Sequence, residues 1–166
     1  VDKPRGLSSH DVVQLARRAL GTRAVGHAGT LDPLATGVLV LGIGEGTKLL
    51  RYLTDSDKTY SATLRLGVAT DSLDSDGSVV QTVDVPSGLD VDVVTAAAAR
   101  FVGEHLQLAP VVSAIKRDGV ALYERVRRGE DVVAPERRVA LRQVDILGVG
   151  SDTIELRVHV GKGFYV

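Results

Sequence analysis

Hydrophobic residues recur along the chain at two spacings, one typical of helices and one typical of strands. After Ser8 the apolar positions fall three or four residues apart, which predicts a helix that stops at Gly21. Ser8 and Asp11 have the spacing of a capping box, and this pair predicts where the helix begins. The apolar positions of this helix are Val12, Leu15, Ala16, Ala19 and Leu20.

Alternation of apolar and polar residues predicts strands elsewhere. Thr59 to Leu66 alternates first, with Tyr60, Ala62, Leu64 and Leu66 on one face. Arg138 to Val149 and Thr153 to Val160 alternate later, and the Gly-Ser-Asp between them is a hairpin signal. The continuous apolar run from Val38 to Ile43 predicts a buried strand.

Shorter signals complete the pattern. Helices are predicted at Leu49 to Leu53, Val93 to Val102 and Leu122 to Arg128, an extended segment at Ala109 to Gly119, and an Asp- and Ser-rich turn at Thr70 to Gly77. The helices and strands do not alternate in a regular βαβ order. We therefore predict an α+β fold, a single domain with a mixed, largely antiparallel sheet flanked by helices.

Composition narrows the class of protein. Hydrophobic residues make up 44% of the 166 residues, enough to bury a core. The absence of Cys excludes disulfides, thiolate catalysis and Cys-based zinc sites, and the four His are too scattered to predict a metal site. No apolar stretch approaches the ~18–20 residues of a membrane span, so we expect a cytoplasmic protein. The chain has no Met and stops within an apolar, strand-like run at Val166, so we expect this domain, residues 1–166, to be truncated at both ends.

Charge is uneven although the net charge is only −1. Asp71 to Asp92 holds six Asp and no Lys or Arg, whereas Lys116 to Arg142 holds eight basic and five acidic residues. A local basic patch can bind phosphates in a neutral protein, because screening confines its field to about 10 Å. A solvated helix face is an equally good interpretation of the charge alone.

The segment from Gly26 to Gly37, GHAGTLDPLATG, holds the strongest candidate chemistry. Three glycines and a proline predict a shaped loop that is neither helix nor strand, and it carries one carboxylate, Asp32, and one imidazole, His27. Catalytic groups are commonly held on such loops. Taken alone, Asp32 followed by Pro33 is also an ordinary turn initiator.

Two familiar patterns do not fit the chain. The segment from Gly42 to Lys48 has the spacing of neither glycine-rich nucleotide loop, and a strand-to-helix turn is the better interpretation. No G-x-S-x-G is present, so the sequence does not predict a Ser-His-Asp nucleophile elbow.

The segment from Gly26 to Gly37 closely resembles the catalytic motif of the bacterial tRNA pseudouridine synthase B family, the pseudouridine-55 type. Further resemblances to that family follow in order over essentially the whole chain. They are VDKPRGLSSHD from Val1, GEGTK from Gly44, DKTY from Asp57, TDSLDSDG from Thr70, SAIK from Ser113 and KGFY from Lys162.

The resemblance implies the pseudouridine synthase fold and a set of site residues. Asp32 matches the catalytic aspartate, His27 the histidine that fills the space left by the flipped base, and Tyr60 the tyrosine that packs on the flipped uracil. The remaining expected substrate contacts are Tyr165, Asp74 and Lys3, and the expected contacts to the RNA backbone are Lys116, Arg125, Arg127 and Arg128.

The implied function is isomerisation of the T-loop uridine of tRNA to pseudouridine, with Asp32 as nucleophile and without a cofactor or metal. The expected partner is the T-arm of tRNA, with no guide RNA and no membrane, and we expect a monomer. Two alternatives stay open, a guide-RNA-dependent pseudouridine synthase subunit and a non-catalytic RNA-binding or RNA-folding module. Attack by Asp32 at C6 of uracil or at C1′ of ribose also stays open.

The chain departs from the family pattern in a few places. The family usually places an Arg two positions after the last matching Tyr, which here falls just past Val166, and we expect its C-terminal RNA-binding extension to be absent from this chain. The usual Pro-Pro-x-aromatic is Ala109 to Val112 here, and the Cys-Ser before Lys-Gly is missing. We interpret these changes as variation in a substrate-gripping loop and a strand.

Overall fold

The computed structural model of the chain describes residues 1–110, 116–117, 119–130, 132–133 and 135–166. Contacts divide the chain into two units, Val1–Ser56 and Asp57–Val166. Every strand pairing in the described residues is antiparallel. Together with the helices, this confirms the predicted α+β class.

The first unit is built from short elements. They are β1 (Asp2–Lys3), α1 (Ser9–Leu20), β2 (Val25–Ala28), β3 (Gly37–Val38), β4 (Val40–Ile43), a 3₁₀ helix (Gly44–Leu49) and α2 (Leu50–Thr54). Strand β1 pairs with β3, and β2 pairs with β4, so this unit contains two separate two-stranded ribbons.

Helix α1 forms where the sequence predicts it. The Ser8 hydroxyl accepts a hydrogen bond from the Asp11 amide at 3.1 Å, and the Asp11 carboxylate accepts one from the Ser8 amide at 2.9 Å. Gly21 ends the helix with φ +62°, a left-handed conformation that favours glycine. Val12 and Val13 are buried. The capping box and the terminal glycine are both confirmed.

The apolar run from Val38 to Ile43 differs from the prediction of one buried strand. The chain changes partner within it, since Val38 pairs with β1 and Val40 pairs with β2. Only Leu39, between the two strands, is a buried hydrophobic side chain, whereas Val38 is 82% exposed. A run that switches ribbons presents no single continuous face to a core.

The second unit holds a four-stranded sheet. Its elements are β5 (Lys58–Arg65), β6 (Val68–Thr70), β7 (Val79–Thr82), α3 (Val91–Ala99), β8 (Gly103–Leu108), β9 (Lys116–Arg117), β10 (Val120–Ala121), α4 (Leu122–Arg127), β11 (Glu136–Val149) and β12 (Thr153–Val160). The order across the large sheet is β5-β12-β11-β8. The predicted hairpin of β11 and β12 is therefore confirmed at the centre of the sheet.

The core of the second unit lies on one face of this sheet. Val94 of α3 belongs to a buried apolar cluster with residues of β11 and β12, and Tyr60, Ala62 and Leu66 pack against it partly buried. Burying one such side chain fully contributes roughly 1.5–3 kcal/mol. The strand residues of the cluster are Leu141, Ile154, Leu156, Val158 and Val160.

The ends of some predicted segments differ from the structure or lie outside the described residues. Helix α3 begins at Val91 rather than Val93, because the Asp90 carboxylate caps it by accepting from the Val93 amide at 2.8 Å. The extended segment predicted from Ala109 lies partly outside the described residues. Strand β12 ends at Val160 as predicted, and the strand-like run up to Val166 does not form a strand. Within the described residues, no helix has the length and hydrophobicity to cross a membrane.

Candidate active site

Asp32 lies in the irregular segment that joins β2 to β3. The loop predicted over Gly26 to Gly37 is shorter in the structure, because Gly26, His27 and Ala28 pair with β4 as part of β2. The side chain of Asp32 is exposed. The carboxylate therefore stands on a short loop that leaves one ribbon and enters the other.

The backbone just before Asp32 is held by a buried serine. The Ser9 hydroxyl donates to the Leu31 carbonyl at 3.1 Å and accepts from the Leu31 amide at 2.9 Å. Ser9 is 2% exposed, so these bonds form away from competing water. The first turn of α1 thus fixes both backbone polar groups of the residue that precedes the candidate nucleophile.

The backbone just after Asp32 is held by a buried lysine. The Lys3 ammonium donates to the carbonyls of Pro4 at 3.0 Å, Leu7 at 2.7 Å and Pro33 at 3.3 Å, and the Pro33 carbonyl also accepts from the Gly6 amide at 2.7 Å. Lys3 is 0% exposed. All three of its N–H donors are engaged. Lys3 thus holds the backbone directly after Asp32, and its predicted contact with substrate stays a prediction.

Asp32 is consequently restrained from both directions along the chain. Its own carbonyl accepts from the Ala35 amide at 3.0 Å, which closes a turn directly after it. Catalytic groups require positions held to within about 0.5 Å, and anchored neighbours supply that precision. The loop therefore presents an exposed carboxylate on a backbone that is restrained on both sides.

His27 is held by a contact to its own loop. Its Nδ1 lies 2.6 Å from the Gly29 carbonyl, and because a carbonyl can only accept, Nδ1 carries the hydrogen. The ring is half-buried, and His27 lies on β2 one residue before the strand ends at Ala28. The contact fixes the orientation of the ring and leaves Nε2 for another partner.

Two tyrosines predicted to contact substrate lie in the second unit. Tyr60 is on β5, opposite Val158 of β12, and is half-buried against the apolar cluster. Tyr165 follows β12, and its backbone amide and carbonyl both bond the Gln107 side chain, at 2.9 and 2.7 Å. Gln107 of β8 thereby holds the segment that carries Tyr165.

Asp74 shapes the turn between β6 and β7. Its carboxylate accepts from the Ser72 hydroxyl at 2.5 Å and from the Asp76 amide at 3.0 Å. Leu73, directly before it, has φ +65°, a conformation that side chains rarely adopt. The predicted Asp- and Ser-rich turn is confirmed, and the carboxylate of Asp74 is committed to its own loop.

The basic segment predicted to grip RNA carries paired charges. Arg125 lies 3.2 Å from the Glu130 carboxylate, and Arg128 lies 3.9 Å from the Glu124 carboxylate. These acids offset the charges of Arg125 and Arg128. The side chains of Lys116 and Arg127 lie outside the described part of the structure, as does most of the SAIK motif.

The structure brings Lys3 to the loop of Asp32 and places His27 on the adjoining strand, all within the first unit. Tyr60, Asp74 and Tyr165 are held within the second unit. Sequence reasoning missed Ser9 and Gln107, whose side chains hold the backbone of Leu31 and of Tyr165. A second Ser at positions 8 and 9, beyond the one needed for the cap, was the available signal for Ser9.

In the described ranges, no three His, Asp or Glu residues cluster as a metal site would require.

Comparison with known proteins gives consistent matches along the chain. It is 49% identical over its whole length to tRNA pseudouridine synthase B of Corynebacterium glutamicum strain R, of which the match covers 57%. It is 46% identical to tRNA pseudouridine synthase B of Syntrophotalea carbinolica, with 54% of that protein covered. The chain thus spans just over half the length of the curated relatives it matches.

Solved structures agree on the fold. A chain of a Cbf5–Nop10–Gar1 complex matches with a TM-score of 0.68 at 27% identity, over 99% of this chain and 39% of the other. A chain of an H/ACA RNP bound to a substrate RNA containing 2′-deoxyuridine matches with a TM-score of 0.67 at 24% identity, over 99% of this chain and 37% of the other, which supports the fold alone.

The family model described as TruB family pseudouridylate synthase, N-terminal domain, matches residues 17–166. This match extends over both units and includes the loop of Asp32. The chain therefore belongs to the TruB family of pseudouridylate synthases.

Proposed function

We propose that the protein is a tRNA pseudouridine synthase that isomerises the T-loop uridine of tRNA, with Asp32 as its nucleophile. The observation that carries the proposal is how Asp32 is held. Its carboxylate is exposed, and the backbone of its neighbours Leu31 and Pro33 is hydrogen-bonded by the buried Ser9 and Lys3. A turn-initiating Asp-Pro with no catalytic role does not require anchors on both sides.

The reaction exchanges one glycosidic bond for another. The bond from N1 of uracil to C1′ of ribose breaks, the detached base turns, and a new bond forms from C5 to C1′. The hydrogen on C5 leaves as a proton and N1 gains one, so the composition is unchanged and no oxidant or reductant is needed. An ionised Asp32 supplies the nucleophile, whether it attacks C6 or C1′.

A base inside an RNA stack is out of reach of a carboxylate, so the target must be flipped out. The half-buried ring of Tyr60 offers a flat partner for the extruded uracil, where stacking contributes ~1–3 kcal/mol. The fixed ring of His27 is suited to fill the gap that the base leaves. Tyr165 is proposed as a further contact to the substrate.

A second candidate is a pseudouridine synthase subunit that requires a guide RNA. The structural match to a chain of a Cbf5–Nop10–Gar1 complex favours it, at 27% identity. The matches to proteins named tRNA pseudouridine synthase B are far closer, at 44 to 49% identity. The stand-alone enzyme is therefore the better proposal, with tRNA as its one macromolecular partner.

The experiment is tritium release from an unmodified tRNA transcript labelled at C5 of uracil, with no other RNA present. We expect release by the protein in its natural full length, and at least a 1,000-fold slower release by Asp32→Asn, because loss of a catalytic nucleophile typically costs about 10⁴–10⁶ in rate. Binding of the transcript, measured by filter retention, should change little.

Asp2→Asn is the matched control, since Asp2 is an exposed carboxylate in the same unit, on β1. It should release tritium at the wild-type rate. Normal release by Asp32→Asn would remove Asp32 from the mechanism. Release that appears only after a guide RNA is added would favour the second candidate, and binding without any release would favour a non-catalytic RNA-binding module.

A further inference from the structure

A basic cleft lies at the C-terminal end of α1, away from the loop of Asp32. It has a volume of about 360 Å³, and three arginines contribute its charge. The full lining is Gln14, Arg17, Arg18, Gly21, Thr22 and Arg23. None of these residues takes part in the chemistry proposed above, and the sequence singled out only Gly21, as the end of α1.

Arg17 is built into the wall of this cleft. Its Nη2 donates to the Val25 carbonyl at 2.9 Å, which ties the end of α1 to the start of β2. Its Nε is buried and has no hydrogen-bond partner among the described residues. Arginine stays protonated in proteins, so this is a fixed positive charge with an unused donor.

Arg18 and Arg23 are exposed beside it. The structure describes every residue of the first unit. Within this unit, no carboxylate lies within 4 Å of Arg17, Arg18 or Arg23. Arg125 and Arg128, in contrast, each have a glutamate partner. Three guanidinium groups without a carboxylate partner within seven positions make this cleft a candidate site for phosphate.

Helix α1 connects the cleft to the loop that carries Asp32. Ser9 at the start of α1 bonds Leu31, next to Asp32, and Arg17 and Arg18 lie eight and nine positions further along the same helix. At 1.5 Å per residue this separation is about 12–14 Å. Strand β2 spans the same gap from its other side, since Arg17 bonds Val25 at one end and the irregular segment begins after Ala28.

We propose that Arg17, Arg18 and Arg23 bind the phosphate backbone of the substrate RNA, a few nucleotides from the uridine that reaches Asp32. The proposal rests on the proposed function and adds to it a site of backbone contact. Guanidinium groups bind phosphate oxygens through paired N–H donors, and their geometry suits an RNA backbone better than a point charge does. The contact positions the RNA and reads no base.

The test is the salt dependence of tRNA binding in the double variant R18Q/R23Q, in the protein at its natural full length. Each phosphate contact contributes about 0.7–0.9 to the slope of log Kd against log salt concentration. We expect the slope to fall by about 1–2, KM for tRNA to rise several-fold, and kcat at saturating tRNA to stay the same.

The matched control is R65Q/R138Q, which also removes two positive charges. Arg65 and Arg138 are 72% and 73% exposed, and each faces an acid, Asp152 at 3.8 Å and Glu104 at 3.7 Å. We expect no change in slope for this control. The melting temperature of both double variants is measured in parallel, since arginines at a helix C-terminus also stabilise the helix dipole.

The outcomes separate the two proposals. An unchanged slope in R18Q/R23Q, with wild-type protein that binds tRNA and releases tritium, overturns the basic cleft and leaves the proposed function intact. An equal fall in both double variants also overturns it, because the effect is then one of net charge. A lower melting temperature without a change in slope assigns these arginines to the stability of α1 alone, and wild-type protein that binds no tRNA overturns both proposals.

Discussion

At the scale of single residues, two adjacent serines perform different tasks. Ser8 caps α1, and Ser9 bonds both backbone groups of Leu31 across 22 positions of sequence. The first contact is local and concerns only the helix. The second connects the helix to the loop that carries Asp32, so the pair offers a direct comparison of helix stability with loop position.

We predict that Ser9→Ala lowers turnover by about 10- to 100-fold, because small displacements of a catalytic group are costly. It should also reduce the free energy of unfolding by about 1–3 kcal/mol, since Leu31 is left with unpaired polar groups at a buried site. Single-turnover tritium release and urea unfolding measure the two effects, and Kd for tRNA should be unchanged.

Ser8→Ala serves as the control. It should cost about 1 kcal/mol of stability, the usual cost of losing an N-cap, with turnover close to wild type. Equal turnover in the two alanine variants would show that the Leu31 anchor has no part in placing Asp32.

At the scale of elements, α1 has a role at each end. Its first turn holds the loop of Asp32, and its last turn lines the basic cleft. Its N-terminus is electrostatically tuned. The Ser8 hydroxyl, which donates to the Asp11 carboxylate at 2.6 Å, holds the pKa of Asp11 below its usual value, and the Ser8 amide lowers it further. The charged form of Asp11 is therefore favoured in the folded helix.

Because the pKa of Asp11 is lower in the folded state than in the unfolded state, its contribution is complete above the unfolded value of about 4 and is lost as the pH falls through the folded value. We predict that the difference in unfolding free energy between wild type and Asp11→Asn is constant from pH 7 to about pH 5 and shrinks below pH 4. Urea titrations across this range measure it.

The same comparison in a Ser8→Ala background is the control for this prediction. Removal of the hydroxyl takes away the largest cause of the lowered pKa, so the dependence of the difference on pH should be weaker there. An identical pH profile in both backgrounds would contradict the assigned cause.

At the scale of the whole molecule, the apolar cluster of the second unit supports both stability and a candidate site residue. Tyr60 packs against this cluster from β5, as Leu66 does from just beyond the strand. The two side chains are comparable in their position against the core. Only Tyr60 has an aromatic ring on which a base can stack.

We predict that Tyr60→Ala and Leu66→Ala each reduce the free energy of unfolding by roughly 1–3 kcal/mol, less than for fully buried side chains. Tyr60→Ala alone should lower kcat in tritium release at a temperature well below both melting transitions. If both variants lose the same fraction of activity, or if neither does, Tyr60 belongs to the core and not to the site.

The sequence correctly predicted the features that depend on interactions between neighbouring residues. The capping box of Ser8 and Asp11, the left-handed Gly21 and the hairpin at Gly150 were predicted because each depends on a few neighbouring residues. The loop around Asp32 was identified by its glycines and its resemblance to a family motif. Its first three residues were misassigned, because their strand pairing depends on a partner twelve or more positions away.

By itself, the sequence determined the family and the α+β class, since motifs that resemble the family's in order and the spacing of apolar residues are both read from the sequence alone. Only the tertiary structure decided how the loop is held and where positive charge is free. The contacts of Ser9 with Leu31, Lys3 with Pro33, and Gln107 with Tyr165 join residues 22, 30 and 58 positions apart. The same holds for charge, because a run of arginines predicts a basic surface only where folding leaves it without acidic partners. This is the case at Arg18 and Arg23 and not at Arg125 and Arg128.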